Sequence, residues 1–179
     1  EDSTLQKTEF SASIFKDSAF TGTTCDDCSF NESTLNNVMF EEDAPVLNSR
    51  FLKSPLQECN FMATNLHSIQ FYRCNLTGSD FTKAQLQQCN FDHVVARDVI
   101  FYKSDLTGSS FRSANLIQAT FEKANLADCD FTGATLFRTN VSKVRLTPET
   151  RFDGAFRDQL EVYPIYRDKL NVNALFTNE

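Results

Sequence analysis

Large apolar residues return along this chain every five positions. From Phe51 they run Leu56, Phe61, Leu66, Phe71, Leu76 and onward to Leu146, with Ala96 and Val141 the weak members. Upstream the same beat passes through Leu5, Phe10, Phe15, Phe20, Cys25, Phe30, Leu35 and Phe40. One six-residue step through Glu41-Glu42-Asp43-Ala44-Pro45 then restores it at Val46. Neither the helix nor the strand has this period. A second beat lies two residues before the first and is small: Ser54, Cys59, Thr64, Cys74, Ser79, Ala84, Cys89, Ser109 and Ala114, with β-branched exceptions at Ile69, Val94 and Val99. Residues two apart on extended backbone point to one side, and the residue between them points away. There the chain writes Asn60, Asn75, Asp80, Asn115, Asn125 and Asp130. The two remaining residues are polar or Gly, as in Thr77-Gly78, Thr107-Gly108 and Thr132-Gly133, which suits a corner. Each pentapeptide therefore predicts one short side and one turn, with two side chains facing inward.

Phe and Leu alternate, so the full pattern repeats every ten residues. In a three-sided coil each Phe would stack on a Leu of the next coil. A four-sided coil of twenty residues instead places Phe51, Phe71, Phe91, Phe111 and Phe131 in one column and Phe61, Phe81, Phe101 and Phe121 in the column opposite. Leu66, Leu86, Leu106, Leu126 and Leu146 make a third, and Leu56, Leu76, Leu116 and Leu136 most of the fourth. Like then stacks on like. At a coil spacing of ~4.8 Å, about seven coils make a rod roughly 35 Å long. Each coil contacts only its neighbours, and the two ends are open edges unless covered.

With motifs such as Ala114-Asn115-Leu116, Ala124-Asn125-Leu126 and Cys129-Asp130-Phe131, the sequence closely resembles the pentapeptide repeat family over residues 3–146. The resemblance implies an all-β solenoid, a right-handed quadrilateral β-helix; the handedness comes from the resemblance and not from the period. The six-residue step at 41–46 is expected to be a corner bulge that preserves the Phe alternation. The expected organisation is a β-helix over 1–146 and a capping segment over 147–179. In that segment Thr147-Pro148-Glu149 reads as a helix start with Pro in its first position. One or two short helices are expected there, with Phe152, Phe156, Leu160, Tyr163, Tyr166 and Leu170 folding back over the last coil.

Composition changes this picture little. Eighteen Phe and no Trp are accounted for by the columns. No apolar run approaches the ~18 residues of a membrane span. The chain opens at Glu1 already in the repeat, which reads as a piece of something longer. Charge is more informative. The net charge is −7 over 179 residues, but Asp17, Asp26, Asp27, Glu32, Glu41, Glu42 and Asp43 lie in residues 17–49 without a single Lys or Arg. Residues 50–146 are mildly basic.

Candidate chemistry is sparse. Cys25-Asp26-Asp27-Cys28 has a redox-like spacing, yet the register makes both cysteines core residues, and the other four occupy the small inward position. Free, buried thiols are expected. His67 and His93 fall on different sides, which argues against a shared metal or a catalytic pair. There is no phosphate-binding loop and no nucleophile elbow. Asn31-Glu32-Ser33, Asn75-Leu76-Thr77 and Asn140-Val141-Ser142 match a glycosylation pattern that chance supplies in so polar a repeat. No catalytic residue, cofactor or metal is expected, because a packed axis leaves no pocket. Function is left to the surface, where Leu52 with Tyr72, and the acidic residues Asp26, Asp27, Glu41, Glu42 and Asp43, are the candidate partner-binding residues. Met62, Tyr102, Ile117 and Phe137 are the other outward apolar side chains, with Phe137 expected under the tail.

The expected function is a non-catalytic interaction or docking scaffold, one module of a larger bacterial protein such as a secreted effector or adaptor. It would act in the bacterial cytoplasm or after delivery into a host or target cell. The partner is expected to be a protein, with no direct nucleic-acid binding, and the rod a monomer or a weak end-to-end dimer. The resemblance offers an alternative, since some members of that family are acidic rods that mimic duplex DNA and occupy the DNA site of gyrase. A third reading is the substrate-docking part of an enzyme whose catalytic domain lies elsewhere.

Overall fold

The computed structural model describes residues 3–40 and 44–162. Each side of the coil is so short that most pair through a single parallel bridge. Register steps by twenty residues, as in Asn75↔Val95, Asp80↔Ile100, Gln85↔Asp105 and Asn90↔Ser110. Four successive pentapeptides thus close one turn. Among the described residues, longer strands occur only near the N-terminus: β1 (Ser3–Gln6), β2 (Ala19–Phe20), β3 (Thr23–Asp26), β4 (Met39–Phe40) and β5 (Val46–Leu47). They pair in the orders β1-β3-β5 and β2-β4, all parallel. The β-branched Thr23-Thr24 pair suits the extended backbone there.

One pentapeptide shows how the backbone is satisfied. Phe131 N–H donates to Arg151 O at 2.8 Å and Gly133 N–H to Asp153 O at 2.8 Å, both in the following coil. Thr135 N–H donates back to Ala114 O at 2.9 Å, and Ala134 N–H closes the corner onto Phe131 O at 3.0 Å. The fifth amide, Thr132 N–H, has no backbone acceptor and takes Asp130 Oδ1 at 2.9 Å. This last bond explains the outward Asn and Asp residues, which accept from the N–H two residues on. Asn60, Asn75, Asp80, Asn90 and Asn140 do the same.

Positive φ at the third corner residue marks these as type II turns. Gly fills a few of them, including Gly78 (φ 71°) and Gly108 (φ 69°), while Lys53, Glu58, Arg73, Gln88 and Gln118 hold the same conformation at φ 56–60°. Each non-Gly residue there costs about 1 kcal/mol or more, which the inter-coil ladder must offset.

The axis is filled. Within a column the rings stack nearly parallel, Phe91 on Phe111 at 4.7 Å and 4°, Phe111 on Phe131 at 4.9 Å and 4°. Between the facing columns they meet edge to face, Phe111 to Phe121 at 5.7 Å and 88°, a favoured aromatic geometry. Stacking crosses the six-residue step without losing alternation, since Phe40 lies on Phe61 at 4.7 Å and Phe30 on Phe51 at 4.8 Å. The bulge itself, at 41–43, lies outside the described residues.

The expected helix start at Thr147 is not found. Another six-residue step absorbs one extra residue, with Pro148 and Glu149 in the turn, and the coil continues: Arg151 bridges Asp130, Phe156 bridges Thr135 and Glu161 bridges Asn140. The reason is packing. Phe152 stacks on Phe131 at 5.0 Å and 3°, and Thr150 takes the small inward position, donating to Leu126 O at 3.0 Å. Phe152 therefore belongs to the column and does not fold over it, and Phe156 points outward, 54% exposed. The rest of the capping segment expected over 147–179, residues 163–179, lies outside the described residues.

Candidate partner-binding surface

Side chains of the small inward position do more than fit. Ser79 Oγ accepts the Cys59 N–H at 3.1 Å and donates to Leu56 O at 2.6 Å, inserting into a turn that otherwise closes directly. Ser109 does the same between Cys89 N–H at 3.0 Å and Leu86 O at 2.6 Å. Thiols substitute for hydroxyls: Cys89 and Cys129 donate to Leu66 O and Leu106 O, each at 3.0 Å, and Cys74 donates to Phe51 O. All six cysteines are free and buried. Burial pushes the thiols of Cys25, Cys59, Cys74 and Cys89 up to about 12, and that of Cys129 still higher. Such groups are protonated donors and poor nucleophiles. Cys25 and Cys28 are core residues, as their register requires.

Chemistry on the outside does not converge. No group of three or more His, Cys, Asp or Glu able to hold a metal occurs among the described residues. His67 and His93 are exposed on separate corners, His93 lying edge-on to Tyr72 at 5.6 Å. Asp130 is held below the usual carboxylate range: burial opposes this, but hydrogen bonds from Thr132 outweigh it, helped by Arg151 and Arg112 at 4.0 and 3.7 Å. Asp105 is lowered in the same way, with Thr107, Gln87 and Asn125 donating against the effect of burial. A shallow groove of about 400 Å³ near the N-terminus is lined by Asp17, Asn37, Met39 and Glu58 among others. Asn37 already ties Asp17 at 2.9 Å.

The candidate residues fall in two places. Leu52 and Tyr72 occupy the same corner of adjacent coils, since Lys53 N–H donates to Tyr72 O at 3.0 Å. Both are half-buried, Leu52 N–H being held by Asn31 Oδ1 and the Tyr72 ring lying under Arg73 at 5.1 Å. Asp26 and Asp27 lie at the preceding corner of an earlier coil, Asp26 accepting from Asn48 at 3.0 Å. Glu41, Glu42 and Asp43 lie outside the described residues. Phe137, expected under the tail, is half-buried against Phe156 of the next coil at 6.4 Å.

Comparison with known proteins fits this geometry. A model of pentapeptide repeats matches residues 74–113 and 114–147, with eight copies. Residues 74–147 are pentapeptide repeats. With the family comes the right-handed quadrilateral β-helix. Two solved structures of QnrB1, a plasmid-mediated fluoroquinolone resistance protein, share the fold. A trypsin-treated variant is 16% identical with a TM-score of 0.66, covering 97% of this chain and 88% of that one. The full-length protein is 15% identical with a TM-score of 0.51, covering 94% and 97%. No curated protein matches the sequence significantly.

Two features of this pentapeptide repeat rod escaped the sequence reading. Ile14 (78% exposed), Met39, Val95 and Ile100 add apolar side chains to the outside. Lys83, Lys103, Lys123 and Lys143 line a single corner. Both sets were visible as residues spaced by the register, but neither is a recognisable motif.

Proposed function

We propose that this chain is a non-catalytic protein–protein interaction scaffold, one module of a larger bacterial protein. The observation that supports this reading is the filled axis, which leaves the charged side chains and both histidines of the described residues on the outside, at corners whose backbone is fixed by the coil ladder. Such a surface suits recognition over an extended face more than chemistry in a pocket. The Leu52–Tyr72 corner is the proposed contact, with the acidic corners bearing Asp26 and Asp27 beside it. A pull-down that compares wild type with Leu52→Asp/Tyr72→Asp and with Asp26→Asn/Asp27→Asn tests the assignment. Loss of one shared partner supports it, and undiminished capture by both variants removes it.

A second reading is mimicry of duplex DNA toward gyrase. Its support is the run of acidic residues near the N-terminus on a rod with the fold of QnrB1. Duplex DNA carries about one charge per 1.7 Å along its whole length. Here the acidic density stops at the third coil and gives way to lysines, so the scaffold reading is preferred. A supercoiling assay with purified gyrase separates the two: inhibition or protection at micromolar protein favours mimicry.

A further inference from the structure

The four corners of the rod are not equivalent. Along the one that follows the Phe81–Phe101–Phe121 side, the third turn residue is Lys83, Lys103, Lys123 and Lys143 in four successive coils. Backbone bonds fix their alignment. Lys83 N–H donates to Tyr102 O at 2.8 Å, Lys103 N–H to Glu122 O at 3.1 Å and Lys123 N–H to Ser142 O at 2.9 Å, each acceptor being the residue just before the next lysine. At ~4.8 Å per coil the ladder is about 14 Å long. The other corners mix residue types at this position, as in Gly78, Asp98, Gln118 and Arg138 or Lys53, Arg73, His93 and Ser113. All four lysines adopt positive φ, between 57° and 63°, a conformation that Gly or Asn fills with less strain. Four like charges at coil spacing also repel one another. The inter-coil ladder offsets the first cost, as at every corner, but little inside the rod offsets the repulsion: Lys123 with Glu122 at 3.2 Å is the only ion pair of the lysine ladder among the described residues. Tyr102 sits between two rungs, with Lys103 and Lys123 at 5.2 and 4.9 Å from its ring and Lys123 donating to its hydroxyl at 2.9 Å. The ammonium groups of Lys103 and Lys123 are thereby held together at this corner.

We infer that this lysine ladder is a docking edge for an acidic protein segment, one that presents several carboxylates along a strand or helix. It goes beyond the scaffold reading by assigning a second surface, diagonally across the rod from Leu52 and Tyr72. Charge decides against nucleic acid. Duplex nucleic acid carries a charge about every 1.7 Å, far denser than lysines at coil spacing, so a rod of net charge −7 repels it at long range more than it repels a segment with a few carboxylates. Asp80 and Asp105 flank the lysines on the adjoining sides and Glu122 shares their corner, so attraction is confined to the edge itself. Short-range pairing of carboxylates with positioned ammonium groups fits that arrangement.

Fluorescence anisotropy of a labelled decaglutamate peptide, and of an oligothymidine of equal length, against the full chain tests the inference. The variant is Lys83→Gln/Lys103→Gln/Lys123→Gln/Lys143→Gln. Gln88 and Gln118 already occupy the same corner conformation, so this change is compatible with the fold, and a thermal melt confirms it. The control removes the same charge from the opposite side: Arg50→Gln/Lys53→Gln/Arg73→Gln/Arg112→Gln. Expected is salt-sensitive binding of the peptide that weakens about tenfold or more in the ladder variant and little in the control. Absence of peptide binding, equal loss in both variants, or tighter binding of the oligothymidine overturns the inference.

Discussion

The first coil and the central coils are written in the same residue types but use them differently. In the centre, Ser79 and Ser109 bridge a buried amide and a buried carbonyl of the preceding coil. In the first coil there is no preceding coil among the described residues. Thr8 donates to Gln6 O and Ser18 to Lys16 O, both local and exposed. Aromatic residues show the same contrast. Phe101 and Phe111 are fully buried between neighbours on both sides, while Phe10, Phe15 and Phe20 are only partly buried. The outward Asn and Asp that satisfy central corners are missing from the first coils, where Ile14, Ala19, Thr24 and Met39 take their places. A pentapeptide is thus not a unit of stability. Its stability comes from the coil on either side, as in any solenoid.

The largest effects should follow from breaking the stacks. Phe101→Ala is expected to cost about 3–5 kcal/mol, by lost transfer energy and the cavity left behind. Phe10→Ala, with one face already open, should cost about half as much or less. Paired urea melts measure the difference. Equal losses would mean that the N-terminal end is covered.

Next come the inserted hydroxyls. Ser79→Ala leaves the Cys59 N–H and the Leu56 carbonyl without their bridge and is expected to cost about 1–3 kcal/mol. Ser18→Ala, which removes only an exposed local bond, should change stability by less than about 0.5 kcal/mol. A cost for Ser79→Ala as small as that would show that the turn closes directly instead.

Dependence on pH probes both ends of the titration range. Buried thiols have folded values pushed up to about 12, so their contribution is whole below the unfolded thiol value of about 8.5 and is lost as pH rises toward 12. Asp105 and Asp130 are depressed in the folded state, so theirs is whole above the unfolded carboxylate value of about 4 and is lost as pH falls below it. Melting temperatures across pH should fall on both sides. In Asp105→Asn the acid limb should be shallower and the alkaline limb unchanged.

The smallest effect is kinetic. Pulse alkylation at neutral pH should modify Cys25, near the first described coil, sooner than Cys89 in the centre, although both are buried and share the same raised value. The order reports sub-global opening, which starts where a coil has one neighbour. Modification of both at one rate would place the two coils in a single cooperative unit.

Much of this was legible beforehand because a period of five has few physical solutions. The alternation of Phe61, Leu66, Phe71 and Leu76 favoured the four-sided coil, since a three-sided one stacks Phe on Leu. The step at 41–46 was readable from the same alternation. The region after Leu146 was misjudged because one inserted residue breaks the count just where Pro148 offers a helix start. Only the stacking of Phe152 on Phe131 restores the register. The hydroxyl bridges of Ser79 and Ser109 were not legible, because their partners lie in another coil and depend on how each corner closes. On the surface, Leu52 and Tyr72 stood out as apolar residues among polar ones. The lysine ladder did not, because net charge hides a column that only the register of twenty assembles.

Hydrogen–deuterium exchange, followed peptide by peptide, tests most directly whether neighbouring coils set local stability. Amides within 61–131 should exchange together and last, at the rate of global unfolding, and those of 3–22 earlier by orders of magnitude. Uniform protection from the first coil to the centre would contradict it.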